Sequence, residues 1–265
     1  MAGKIKFRDN YNSHIFRSKN INDINVLITV RSNSNRFPNK CFKTFGEYTV
    51  IEHVIRRSIH FGLNPIVCTT LEPNDDKIFN LTKKLGIQCF RGPTENKLLR
   101  WSQCCKFFDI TKFHSVDADD PFFCADEVKR SMNLLKEGID VVSPSPSSSS
   151  GGATVGYSLT SEIVERSCSG LPIKTDTEMM WSYLDKVPGV KKIMMSDPIK
   201  HNITARLTLD YVEDYILLEA IRLIVGNFAN RAQIAQLLNT NPDLKKINDF
   251  RTKEWSENQI AKTKF

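Results

Sequence analysis

The sequence has no C-x-x-C pair, no apolar run approaching 20 residues and no glycine-rich nucleotide loop of either common kind. Each absence excludes something. Its seven cysteines (41, 68, 89, 104, 105, 124 and 168) are odd in number and form no motif, so they read as reduced thiols of a cytoplasmic protein. Without a long apolar run there is no membrane-spanning helix, and the polar, charged first residues lack a signal-peptide core. The missing G-x-x-x-x-G-K-[ST] and G-x-G-x-x-G patterns exclude a Walker loop and a dinucleotide fingerprint. No repeat of solenoid length is present. The net charge is +7, which attracts anions of every kind, and no dense Lys/Arg block singles out nucleic acid.

What is present has the composition of an ordinary globular protein, with 40% hydrophobic and 25% charged residues in 265. Residues 1–23 read as a basic N-terminal extension, one domain spans 24–240, and 241–265 read as a C-terminal tail. Apolar, β-branched runs at 24–30, 65–69, 88–91, 113–116 and 140–143 predict strands. Helical spacing predicts helices over 48–61, 75–85, 95–107 and 126–135, with Gly86 as a C-terminal cap. This alternation predicts an α/β fold with a mostly parallel sheet flanked by helices. Further on, helices are expected at 161–167, 175–184, 212–225 and 231–238, and a strand at 205–209 ending at Asp210. The run SPSPSSSSGG at 143–152 offers no apolar anchor and reads either as a linker or as a mobile lid bordering the acceptor pocket.

Three polar clusters fall at expected strand ends, where open α/β sheets gather ligands. The first, Arg31 to Lys40, places Arg31, Arg36 and Lys40 among small hydroxyl and amide residues, including Ser34. Cations with short donors suit a triphosphate, and a plain basic surface loop is the alternative. The second is Asp117-Ala118-Asp119-Asp120-Pro121. Three carboxylates so close repel one another and call for a cation such as Mg²⁺ or a hydrogen-bond network, unless they only form a turn that caps a helix. In the third, Arg206-Leu207-Thr208-Leu209-Asp210, Asp210 either faces the rim shared with Asp119 or caps the following helix.

These clusters, in this order, resemble the cytidylyltransferase family that includes the CMP-ulosonic acid synthetases and the spore-coat polysaccharide cytidylyltransferase-like proteins. The family's A-R-x-x-S-x-R-L-P-x-K is similar to Val30 through Lys40, and its I-x-H-V-I-x-R to Ile51 through Arg57. V-A-T-S is matched by Val67-Cys68-Thr69-Thr70, and the acid pair that follows it by Asp75-Asp76. F-R-G-x-x-x-D-V-L-x-R-Y is matched by Phe90 through Trp101, T-A-D-C-P by Asp117 through Pro121, and T-x-D-x-x-x-D-Y by Thr208 through Tyr215. The resemblance spans about residues 24–225.

It implies a glycosyltransferase-A-like (Rossmann-like) fold and a CTP-dependent, Mg²⁺-dependent nucleotidyltransferase, a cytoplasmic homodimer with no nucleic-acid or membrane partner. The product would be a CMP-activated acidic sugar or a CDP-linked phosphorylated acceptor for surface polysaccharide. Arg31, Lys40 and Asp119 are the implied catalytic residues. Arg31, Ser34, Arg36, Lys40, Thr69 and Arg100 would bind the nucleotide, and Asp119 and Asp210 the metal. Departures from the pattern are Asn39 for a glycine, Asn96 for an aspartate and Asp117 for a hydroxyl, with a poor match over 145–200. Two other readings are a glycosyltransferase on a similar fold, which the three-cation loop disfavours, and a non-catalytic nucleotide-binding protein, which the retained Asp119 and Asp210 disfavour.

Overall fold

The computed structural model describes residues 24–261 apart from 35, 137 and 199–202; the 1–23 extension lies outside the described residues. Strand β1 (Asn25–Thr29) lies in the interior of a seven-stranded sheet. The short hairpin β2 (Thr44–Phe45) and β3 (Tyr48–Thr49) leads into helix α1 (Val50–His60). Then follow β4 (Asn64–Thr70), α2 (Asp76–Leu85), β5 (Cys89–Gly92), α3 (Lys97–Phe108), β6 (Lys112–Asp117), α4 (Ala125–Leu134) and β7 (Val141–Ser143). The rest comprises β8 (Ser158–Thr160), α5 (Ser161–Cys168), the short α6 (Trp181–Leu184), β9 (Lys192–Met194), α7 (Val212–Val225), α8 (Arg231–Thr240) and α9 (Thr252–Ala261).

The sheet order is β5-β4-β1-β6-β8-β7-β9. Strand β8 runs antiparallel to β6 and β7, and the other pairings are parallel. The unbroken apolar run of β1 follows from this placement, because both of its faces are covered. Leu27 packs with Trp101 and Phe113 on the side of α3 and α5, while Val26 and Ile28 pack with Ile51, Val54 and Ile78 on the side of α1 and α2. A third cluster joins Leu218 and Ile221 of α7 to Phe37, Phe45 and Phe122, tying the C-terminal helices to the loops at the sheet's rim.

Three expectations are corrected. Residues 205–209 form no strand. Their alternating apolar side chains are buried, but the backbone bonds to loops: the Leu207 amide donates to the Gly151 carbonyl (2.8 Å) and the Leu209 amide to the Asp119 carbonyl (2.7 Å). Of the helix expected over 175–184 only Trp181–Leu184 forms. Upstream, the Thr177 hydroxyl accepts from the distant Leu98 amide, and Asp176 accepts from the Glu178 amide, a local bond that competes with a helix.

The Ser/Gly run is packed, not an unanchored lid. The Ser148 hydroxyl accepts from the amides of Thr154 and Val155 and donates to the Val155 carbonyl. Its glycines answer close contacts: a Cβ on Gly152 would stand 2.6 Å from the Ser147 carbonyl oxygen, and one on Gly151 (φ +97°) 2.8 Å from Arg206.

Two histidines make the fold acid-sensitive. His53 is fully buried, its Nε2 3.0 Å from the Pro121 carbonyl, and His114 places Nδ1 2.8 Å from the Ser158 hydroxyl. Burial, helped by Arg57 at His53, pushes both from the ordinary 6.5 down to about 3. The native state therefore holds both rings neutral, while the unfolded chain takes up their protons below pH 6.5. Their contribution is complete above that pH and is lost as pH falls towards 3. Each histidine is expected to cost about 2 kcal/mol between pH 7.5 and 5. Denaturant unfolding at the two pH values checks this, and equal stability would refute it.

Candidate active site

The chain steps outward from β1 to β4 and β5, then returns to place β6 on the other side of β1. That reversal opens a crevice at the carboxyl ends of β1 and β6, the position where such sheets bind ligands. A cleft of about 900 Å³ lies there. One lip is the cationic loop leaving β1, and the other is the carboxylate cluster leaving β6.

Local chemistry fixes both lips. In the cationic loop, Asn39 takes a left-handed conformation (φ 55°, ψ 28°), which explains how it replaces a glycine: asparagine tolerates that region best after glycine. The Ser32 amide and hydroxyl both donate to Asp75 Oδ1 (2.8 and 2.6 Å). Thr69 and Thr70 donate to Asp75 Oδ2, tying the loop to the end of β4. Burial would raise the Asp75 carboxyl, but these hydroxyl and amide donors bring it below its usual range.

The acidic loop is held from α1. His53 contacts the Pro121 carbonyl, and Arg57, one turn on, donates to the carbonyls of Phe123 and Ala229 (both 2.9 Å). The helix motif thus serves the neighbouring loop.

Lys40 is the junction of the site. Its ammonium donates to Asp119 Oδ2 (2.6 Å), Asp210 Oδ1 (2.9 Å) and the Leu209 carbonyl (2.7 Å), which uses all three of its protons. Burial works against its charge, but the two carboxylates outweigh burial and hold its pKa above the usual range. Asp210 also accepts from Arg36 (2.7 Å) and, on Oδ2, from the Trp255 indole (2.8 Å). Burial raises the Asp210 carboxyl, and Lys40 with Arg36 reverses this to a net lowering.

Asp119 and Asp210, 91 positions apart in sequence, therefore meet on one ammonium. Asp210 does so without a strand behind it and without capping α7. The amides of Asp210 and Tyr211 both donate to Asp214 Oδ2 (2.8 Å each).

Asp117, Asp119 and Asp120 each offer a carboxylate oxygen within 4.8 Å of the others. Burial and the charges of its two neighbours push the Asp120 carboxyl well above its usual range, as expected of acids crowded without enough countercharge. Neither Asp119 nor Asp120 caps a helix, because α4 starts after Cys124.

The other expected residues divide. Arg31, Ser34 and Arg36 line the cleft, with Arg31 half-exposed and 3.5 Å from Glu178. Thr69 is buried on Asp75, and its neighbour Thr70 reaches the cleft. Arg100 touches the cleft wall, but its guanidinium is bonded to the carbonyls of Pro93 and Thr94. Asn96 caps α3 as an aspartate would, and its amide also donates to the Pro172 carbonyl, which a carboxylate could not do.

Five residues of the site receive no role from a sequence reading: Asp75, Lys97 (3.0 Å from Asp117), Trp255 and the buried pair Arg206 and Asp214. Asp75, Lys97 and Asp214 lie inside segments that resemble the family, so a signal was there. Trp255 lies beyond them.

The sheet is mostly parallel, and its switch-point crevice carries cations on one lip and carboxylates on the other. Residues 25–150 match the sequence model of the cytidylyltransferase family. An uncharacterized protein of Methanocaldococcus jannaschii is 26% identical over 241 residues, covering 87% of this chain and 97% of that one.

Among solved structures, a cytidylyltransferase from Leptospira borgpetersenii is similar at a TM-score of 0.74 and 20% identity, covering 84% of this chain and 96% of that one. A CMP:2-keto-3-deoxy-manno-octonic acid synthetase complexed with CTP is similar at 0.57 and 12%, covering 76% and 98%. These two likenesses show the fold. Among the described residues no helix is long and apolar enough to cross a membrane.

Proposed function

We propose that this chain is a CTP-dependent cytidylyltransferase that joins CMP to an acidic sugar, or to a phosphorylated acceptor, and releases pyrophosphate. The observation that carries the reading is the pairing of lips across one cleft: Arg31, Ser34 and Arg36 on one side, and Asp117, Asp119 and Asp120 on the other. The cations suit a triphosphate and the acids a cation beside it.

The donor set fits Mg²⁺, a hard ion that takes carboxylate oxygens. Two features of the fold support the fit: the crowded Asp120, and the Lys40 ammonium standing between Asp119 and Asp210 where positive charge is needed. Asp119 with Asp210 would hold the ion, and Asp117 and Asp120 stand beside them. When bound, Mg²⁺ would neutralise charge on the phosphates.

The chain's own contribution is positional. Phosphoryl-type transfer to an ionised oxygen needs no protein nucleophile, only alignment and charge stabilisation. Arg31 and Arg36 would bind the departing pyrophosphate, and Lys40 would join them once its carboxylates are otherwise neutralised. An acceptor carboxylate or phosphate is already ionised and needs no base. A sugar hydroxyl would use Asp120 as its base, a carboxyl that burial and the neighbouring acids hold above its usual range. We further assign the nucleotidyltransferase domain to 24–240, the pathway to surface polysaccharide and the working form to a cytoplasmic homodimer.

Pyrophosphate release, screened with the four nucleoside triphosphates against acidic sugars, sugar phosphates and phosphonates, tests the reading. Release only with CTP and one acceptor class is expected, and CTP binding without turnover on any acceptor would favour a non-catalytic role. Arg31→Ala should lower kcat/KM for CTP by roughly ten- to a hundredfold, the loss of one charge-assisted contact. Because Arg31 is half-exposed, its thermal midpoint should not move. Unchanged triphosphate affinity would make the loop a basic surface only.

A further inference from the structure

Lys97 and Asp117 stand where the family pattern has valine and a hydroxyl residue, and in the fold the two departures meet. Lys97 lies in the first turn of α3 and Asp117 ends β6. Lys97 Nζ donates to Asp117 Oδ1 at 3.0 Å, and both line the cleft. Lys97 is only 6% exposed and lies 4.9 Å over the Trp101 ring, whereas the Asp117 side chain is 48% exposed.

The ammonium carries three protons and spends one on Asp117. Asp117 Oδ2 accepts no side-chain hydrogen bond among the described residues. The pair is thus neutral overall, with a spare donor and a spare acceptor side by side at the wall of the cleft. A phosphate would meet Asp117 and Asp119 there and be repelled. Two adjacent hydroxyls would not: one accepts from Lys97 while its neighbour donates to Asp117 Oδ2.

We propose that Lys97 and Asp117 together recognise a cis-diol, that of the nucleotide ribose. The assignment rests on the nucleotidyltransferase reading. A ribose is joined to its α-phosphate through a single methylene and oxygen, so its hydroxyls must lie a short way from whatever holds the phosphate. Asp117 meets that condition, with a carboxylate oxygen within 4.8 Å of one on Asp119. An acceptor sugar offers the same chemistry, and titrations run without acceptor separate the two sources.

The test is calorimetric titration of CTP, 2′-deoxy-CTP and 3′-deoxy-CTP, with Mg²⁺ and no acceptor, into the wild-type protein, Asp117→Asn and Lys97→Met. The wild type should bind at least one deoxy analogue roughly tenfold more weakly than CTP, since a buried donor or acceptor loses its partner. Asp117→Asn should bind CTP about as weakly as the deoxy analogue and lose the discrimination, and Lys97→Met should do the same.

Asp117 is half-exposed, so its asparagine variant should fold even if Lys97→Met does not. Equal binding of all three nucleotides by the wild type, or an unchanged ratio in Asp117→Asn, overturns the ribose assignment while leaving CTP binding intact. No binding of any of the four ribonucleoside triphosphates overturns the nucleotidyltransferase reading instead, and the pair's role with it.

Discussion

Asp119→Asn is expected to lower pyrophosphate release by a factor on the order of 10³, the scale of losing one preorganised electrostatic contact at a reacting phosphate. Asp119 is the acid that both lips share. It belongs to the cluster with Asp117 and Asp120, and its Oδ2 accepts from Lys40. An asparagine keeps its shape but loses its charge, so a divalent cation would be held by fewer ionised oxygens. Stability should change little, because the Asp119 side chain is only partly buried and Lys40 keeps its bonds to Leu209 and Asp210.

Asp210→Asn makes the contrast. Turnover should fall as far, but stability should also drop by about 3 kcal/mol, since Arg36 and Lys40 would be left facing an uncharged group in a buried place. Steady-state assays with Mg²⁺ and thermal unfolding of both variants distinguish the two. Mg²⁺-dependent turnover near the wild-type level in Asp119→Asn would end the two-carboxylate reading.

How much of this could be read from sequence depends on the range of the forces involved. Helix α7 forms over Val212–Val225, where its helical spacing places it, and Gly86 ends α2 in the left-handed region (φ 67°). Both depend on local periodicity and local sterics. The same holds for β1, whose continuous apolar run already states that both faces are covered.

Lys40 marks the limit of that logic. Its charge and its place after β1 suggest a phosphate ligand, but its partners lie 79 and 170 residues away, and no pattern within the loop names them. Arg100 and Lys97 show the limit on one helix. Both are cations at the start of α3, and only the neighbouring carbonyls of Pro93 and Thr94 decide that Arg100 is tied to the loop while Lys97 reaches the acids. The Ser/Gly run misleads for a related reason. Composition suggests freedom, but serine hydroxyls and glycines also serve tight packing, as Ser148, Gly151 and Gly152 do.

Asp214→Asn should be among the most damaging substitutions outside the cleft, costing about 3–5 kcal/mol and most of the activity. Asp214 and Arg206 form an ion pair whose side chains are 0% and 1% exposed. Asp214 Oδ1 accepts from Arg206 and from Asn248 (2.9 Å), and Oδ2 accepts the amides of Asp210 and Tyr211. Four donors thus converge on one carboxylate. An asparagine would turn one of its oxygens into a donor pointed at donors, and would leave Arg206 buried and unpaired, the costly way to break such a pair.

The functional effect should follow through position. Residues 205–209 have no strand to hold them, so the bonds from Asp214 to the Asp210 amide and to Arg206 are what present Asp210 to Lys40. If so, activity should fall even under conditions where the variant is fully folded, with the loss in kcat exceeding the change in CTP affinity. Denaturant unfolding and single-temperature kinetics measure the two effects separately. A variant with wild-type kinetics at reduced stability would show that Asp214 braces the fold without setting Asp210. A thermal midpoint within about 2 °C of wild type would show that the buried pair contributes far less than its geometry implies.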